Sequence, residues 1–214
     1  MRLLTWAILA LLALVAVRSQ AATAPEEEEL RFKVVALSGS VTVYRDERDE
    51  TVRMRVADKT DDGDNVTTGA KSEVLLRLPG KGYVHLGPRT KIHISRLRNG
   101  DKGAQVRLNL LTGHLWVQLD QTPKYLFEVS AKGLIARCHG TLFEVLRQKD
   151  AVRVITYDGP VVTTAHGLTK ISTSGDVAQY TADKFRYRHR LQDSDQDRLA
   201  QWQAHLTDLL KKPH

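Results

Sequence analysis

Cys138 and His139 stand side by side in the stretch ARCHGTLFEV (136–145). A thiol next to an imidazole is the pairing a cysteine nucleophile needs, provided the base reaches the sulfur and a third group orients it. If this stretch is a strand, neighbouring side chains point to opposite faces of the sheet, so thiol and ring are kept apart. No nucleophile motif surrounds the pair, and a lone thiol also reads as a small buried apolar group. No catalytic residue is therefore expected. Cys138 is also the chain's single cysteine, which excludes an intrachain disulfide framework.

Two further groups invite chemistry. His85 and His93 flank LGPRTKI, and alternation puts both on the wet face of their strands. Two imidazoles fall short of the four ligands of a structural zinc site, so both are expected to be surface histidines and no metal is expected. The acidic loop DKTDDGDN (58–65) suggests calcium. Aligning Gly63 with the glycine of a calcium-binding loop places Thr60 at the third position. It also places Gly69 where a bidentate glutamate belongs, so the pattern fails. A Ser-His-Asp motif, a phosphate loop and a dinucleotide fingerprint are all missing from the sequence. The expectation is a non-enzymatic chain with no cofactor.

The elements that carry these residues repeat with a period of two. VTVYR (41–45), VRMRV (52–56), VLLRL (74–78), YVHL (83–86), KIHIS (91–95), VRLNL (106–110) and LWVQL (115–119) alternate apolar and polar residues. FEV (127–129), FEV (143–145), VRVI (152–155) and VVT (161–163) continue the series. Glycines punctuate it, Gly113 among them. Short strands separated by turn residues predict an all-β sandwich or barrel. No helical period intervenes before about residue 190, which argues against a parallel α/β sheet.

The tail changes period. Over 194–212, Leu199, Trp202, Leu206, Leu209 and Leu210 fall on one helical stripe, with Ser194 as the expected N-cap. Such a stripe either docks on the chain's own core or seats in a partner's groove. Docking is favoured, and Leu199, Trp202, Leu206 and Leu209 are the residues that would bind a partner in the other case.

The N-terminus has a basic start at Arg2 and an uncharged apolar run from Leu3 to Val17. As a helix of about 1.5 Å per residue, that run spans about 22 Å, short of the roughly 30 Å bilayer core. Ser-Gln-Ala, ending at Ala21, supplies a small-x-small cleavage pattern. A cleaved secretory signal peptide is expected over 1–21, with an uncleaved anchor as the alternative. No cysteine follows the run, so no lipid anchor is expected. The formal charge of +7 is spread among carboxylates. No aromatic-interleaved basic patch is apparent, and nucleic acid is not an expected partner.

Taken in order, the strand blocks resemble the FecR-like domain family. Gly63-Asp64, Thr68-Gly69 and Ser72 fit its opening pattern; Gly82, Leu86 and Thr90 fit the next. Gly113 follows, then Gly140, Thr141, Phe143 and Val145 as Gly-Thr-x-Phe-x-Val, and Gly159 with Val161 as a closing Gly-x-Val. His139 stands where the family usually has a basic residue, mostly arginine. The resemblance implies an all-β, antiparallel, jelly-roll-like sandwich facing the periplasm, to which the sequence adds a C-terminal α-helix. It implies that the matched residues are architectural.

Family members that regulate sigma factors carry a cytoplasmic segment before their span. The apolar run here starts at Leu3, so that segment is expected to be absent. The expected organisation is signal peptide 1–21, linker 22–37, FecR-like β domain 38–168, extension 169–193 and amphipathic helix 194–212. The expected function is a periplasmic or secreted binding or scaffold module for a protein or cell-envelope component. The second reading is a sensory subunit that passes an envelope signal to a membrane regulator. The sequence fixes no oligomeric state.

Overall fold

A computed structural model describes residues 30–211, apart from 79, 81, 100–102, 121–124 and 182–183. The expected signal peptide and the first part of the linker lie outside the described residues.

In chain order the strands are β1 (Phe32–Ser38), β2 (Val41–Arg45), β3 (Glu50–Arg53), β4 (Lys59–Thr60), β5 (Asn65–Thr68) and β6 (Glu73–Leu78). Next come β7 (Gly82–Leu86), β8 (Lys91–Arg98), β9 (Ala104–Leu119), β10 (Tyr125–Ala131), β11 (Leu134–Cys138) and β12 (Leu142–Gln148). The last are β13 (Ala151–Asp158), β14 (Val161–Ala165), β15 (Leu168–Ser172), β16 (Val177–Thr181) and β17 (Lys184–Arg188), before helix α1 (Asp193–Lys211).

These strands make an open, sandwich-like all-β fold with one C-terminal helix among the described residues. Sheet I runs β17-β16-β13-β12-β9-β7-β6-β1-β4. Sheet II runs β15-β14-β11-β10-β9-β8-β5-β2-β3. β9 belongs to both. Its first half pairs with β8 and β10 in sheet II, and its second half with β7 and β12 in sheet I. The sequence reads VRLNL and LWVQL as two strands parted by Gly113. They form one strand, because Gly113 at φ +96° lets the chain cross between sheets without a turn. Among the described residues, pairing is antiparallel except between β9 and β10, which are parallel.

The inward residues of both sheets build the main core, including Phe32, Val43, Val66, Leu76, Ile92, Leu108, Phe127, Phe143 and Val154. Fully burying a side chain of this kind contributes about 1.5–3 kcal/mol. Two boundaries differ from the sequence reading. All of β1 but its last residue, Ser38, lies in the expected linker, and the expected extension 169–193 holds nearly all of β15 together with β16 and β17. A bulge between Val34 and Ala36 shifts the phase of β1 and hides its alternation.

Candidate functional site

The outer face of sheet I carries one continuous row of side chains. Register places Ala36 beside Leu75, Leu75 beside His85, His85 beside Trp116, and Trp116 beside Glu144. The row goes on through Ile155 and Val177 to Arg188. It therefore crosses eight strands, a distance of about 34 Å at ~4.8 Å per strand. Helix α1, about 28 Å long at ~1.5 Å per residue, lies along it. Asp195, Arg198, Trp202, His205 and Leu209 recur at steps of three and four, so they share the face turned to the sheet.

Each of these residues meets the row in turn. The Asp195 carboxylate, 2% exposed, is bridged by Arg153 and Arg188 at 3.0 Å each. Arg198 pairs with Glu144, which is fully buried. The Tyr157 hydroxyl donates to Glu144 Oε2 at 2.8 Å, and His114 Nε2 lies 2.6 Å from Oε1. Trp202 stacks on Trp116 with ring centroids 4.8 Å apart, and Trp116 stacks on Tyr157 at 5.3 Å. Leu209 is buried against Ala36 and Leu75.

The helix stripe is thus docked on its own sheet. Trp202 and Leu209 are buried, Leu199 and Leu206 are half-buried in the same contact, and Leu210 stays exposed. The face that would have served a partner is occupied. Ser194 lies inside the helix rather than at its cap. Asp195 Oδ2 accepts the Gln192 N–H at 3.1 Å, which shifts the capping contact two residues earlier.

His85 is a correction to the sequence reading. It is 6% exposed, not a surface residue, because α1 covers the outer face of its strand. His93 lies in sheet II between Asn65 and Asn109, so the two imidazoles are not neighbours. His85 meets Glu73 and His205 instead, and the ligand atoms of these three lie within 4.8 Å of one another. The hydrogen bonds decide against a cation there. The Trp202 indole donates to His85 Nδ1 at 3.1 Å. An indole N–H can only donate, so His85 carries its proton on Nε2 and gives it to Glu73 Oε2 at 3.1 Å. A cation on Nε2 would force a proton onto Nδ1, against the indole N–H. His205 also reaches Glu73 Oε2, at 2.6 Å. The group clasps the helix to β6 and β7.

This clasp makes stability depend on pH. Burial holds His85 below the usual histidine range, against the pull of Glu73. His85 and then His205 hold Glu73 at about 2, while burial opposes them. An unfolded histidine takes its proton near pH 6.5, where folded His85 does not. The unfolded chain then binds more protons, so stability falls as pH drops below about 6.5. Below about 4.5, Glu73 adds a loss of the same sign, continuing toward 2. His114, also held low by burial and then by the Arg198 charge, acts in the same direction, with a smaller share because it is 28% exposed. The melting temperature is expected to be highest above pH 7 and lower at pH 5. Thermal melts across this range check it, and a melting temperature that rises toward pH 5 contradicts it.

The Cys138–His139 pair is parted as alternation requires. Cys138 is buried, with its thiol pushed up to about 12 by burial. His139 is exposed and its Nδ1 meets the Tyr125 carbonyl. A thiol reagent at pH 8 is expected to label Cys138 only after unfolding. Rapid labelling of the native chain would contradict this.

The matched family positions tie turns together. The Thr68 hydroxyl donates to the Gly87 carbonyl at 2.6 Å and accepts the Thr90 N–H at 2.9 Å. Thr90 Oγ1 accepts the His114 N–H at 2.9 Å. Ser72 Oγ accepts the Ser40 N–H at 2.8 Å, with Gly69 packed close by, and Asp64 caps Asp61 N–H at 2.9 Å after Gly63. Gly140 and Gly159 both have positive φ, and a Cβ on Gly159 would lie 2.9 Å from the Thr141 methyl. Phe143 and Val145 are fully buried. In the acidic loop, Asp61 pairs with Arg31 at 2.9 Å and Asp58 accepts the Arg55 N–H at 2.7 Å.

Together these features define a two-sheet β domain closed on one face by its own helix. Residues 64–162 match the family model described as FecR protein. No curated protein matches the chain. Among solved structures, it is similar to two crystal structures of a candidate anti-sigma factor from Parabacteroides distasonis. One, at 12% identity and TM-score 0.54, is matched over 64% of this chain and 63% of that one. The other, at 11% identity and TM-score 0.51, is matched over 59% of each. The match therefore spans about three-fifths of those chains, and at such identity it shows a shared fold.

Proposed function

We propose that the chain is an exported, non-enzymatic binding module of the cell envelope that serves regulation. The FecR match over 64–162 carries this reading. Its support is that four of the family's polar positions, Asp64, Thr68, Ser72 and Thr90, are spent on internal hydrogen bonds. They build the sandwich and leave recognition to its loops and edges. The apolar run Leu3–Val17 agrees with export. The partner is a protein or component of the envelope.

A sensory role, in which the module hands a signal to a membrane regulator, is the second reading. The anti-sigma description of the fold neighbours favours it. Transmission through the α1 stripe would first require that helix to leave sheet I.

Cross-linking in intact cells followed by purification from envelope fractions tests both. Recovery of an envelope partner is expected, and a membrane protein with a cytoplasmic arm supports the sensory form. Recovery of the chain alone from every fraction contradicts the proposal.

A further inference from the structure

Every second residue of β17 is basic: Lys184, Arg186 and Arg188. Phe185 and Tyr187, between them, pack against the main core, so the cations belong to the outer face of sheet I. The run KFRYRHR (184–190) is therefore an aromatic-interleaved basic patch that the sequence reading passed over. Its aromatic rings are turned inward and offer no platform on which bases could stack.

Register sets these arginines beside a third. Arg186 pairs with Gln179, which pairs with Arg153. Strand spacing puts the Arg153 and Arg186 backbones about 10 Å apart, and Arg186 and Arg188 about 7 Å apart. Between them is a cavity of about 510 Å³, lined by Arg153, Val177, Gln179, Arg186, Tyr187, Arg188 and Gln192. That size falls in the usual range for a small-ligand site, ~300–1,000 Å³.

The charges in this cavity do not balance. Asp195 is the carboxylate that Arg153 and Arg188 share, and each spends one terminal nitrogen on it. This buried bridge holds the two guanidinium groups at a fixed spacing. Arg186 pairs with no carboxylate among the described residues. Three guanidinium groups against one carboxylate leave two positive charges facing a common space. The Gln179 and Gln192 amides add neutral hydrogen-bonding groups to its wall.

We propose that this cavity binds a phosphoryl group, either as free phosphate or on a phosphorylated headgroup. A guanidinium fork matches phosphate oxygens in pairs. A phosphoryl dianion offsets both excess charges, and its three terminal oxygens can meet three forks from different sides. A planar carboxylate, with two oxygens and one charge, leaves one fork unmatched. The inference does not depend on the regulatory reading, since it rests on the cavity alone.

The test is calorimetric titration of the full chain with inorganic phosphate at constant ionic strength, with acetate as the control anion. Saturable phosphate binding is expected, weakened at least about tenfold by Arg186→Ala, as loss of one charge-assisted contact implies. Arg186→Gln keeps the side-chain volume and is expected to lose the same binding. Arg98→Ala, on sheet II, is expected to bind as the unaltered chain does. Absence of saturable binding overturns the proposal, as does an equal loss in Arg98→Ala, which would mean diffuse charge.

Vesicles then separate the sources. Sedimentation with phosphatidic acid vesicles but not phosphatidylcholine vesicles, competed by phosphate, assigns a headgroup. Phosphate titration without sedimentation assigns the free ion.

Discussion

Arg198→Ala is expected to lower folding stability by about 3 kcal/mol, because it strands a buried carboxylate. Glu144 is fully buried on β12, and α1 lies over it. Arg198 is the cation that the helix brings to it; the Tyr157 hydroxyl and the His114 ring complete its surroundings. Neither replaces a full positive charge, since burial holds His114 down at about 3 and so uncharged at neutral pH. Removing Arg198 leaves the carboxylate to protonate or to draw in water, and either loosens the helix. Arg198 is 29% exposed, which keeps the expected loss at the lower end of the range for a broken buried pair. Adding Glu144→Gln to Arg198→Ala is expected to recover about 1–3 kcal/mol, the coupling typical of contacting residues. Chemical denaturation of both single variants and the double variant measures this. Strict additivity would mean that the two side chains do not depend on each other.

Gly113→Ala is expected to be at least as damaging, for reasons of backbone and space. Gly113 has φ +96°, where an L side chain is strained. A Cβ there would lie 2.5 Å from the Thr90 Cα and 2.8 Å from the Arg89 carbonyl oxygen, so backbone must shift. The shift propagates, since Thr90 holds the His114 N–H and is itself tied to Thr68. Strain of about 1–3 kcal/mol and overpacking of a similar size add to a loss of about 4 kcal/mol. Gly80→Ala is the control. It has φ +62° with nothing within 4 Å of the added carbon, so it carries the strain without the collision. Its expected cost is about 1 kcal/mol. Equal melting temperatures for the two variants would contradict this account of β9.

Much of the sandwich is legible in the sequence, and the failures have physical causes. VTVYR is strand β2 to the residue, because alternation survives wherever one face is dry and the other wet. It fails in β1, where the bulge after Val34 changes phase, and in β15, where Leu168 and Ile171 are exposed. Most glycines and threonines of the FecR pattern are legible because they need a particular backbone conformation, a close approach or a particular hydrogen bond, as Gly113, Gly69 and Thr68 do. The apolar stripe of α1 is legible for its period, but its target is not. His85 is separated from Trp202 by 117 residues, and nothing local marks a histidine on a nominally wet face as buried. The ladder from Ala36 to Arg188 depends on the register of eight strands, which no single stretch encodes. The arginine cavity was missed for the same reason: Arg153 is remote in sequence from Arg186 and Arg188 and meets them through register alone.

The central claim is that α1 is a structural part of this domain, closing the outer face of sheet I. Thermal unfolding of a chain ending at Gln192, compared with the full chain, tests it most directly. Loss of the buried Trp202 and Leu209 and of the Arg198 and His205 contacts predicts a fall of about 10 °C or more. At this size each kcal/mol is worth about 2–4 °C. The uncovered Trp116, Ile155 and Leu75 should also bind an apolar dye. An unchanged melting temperature without dye binding would contradict the claim.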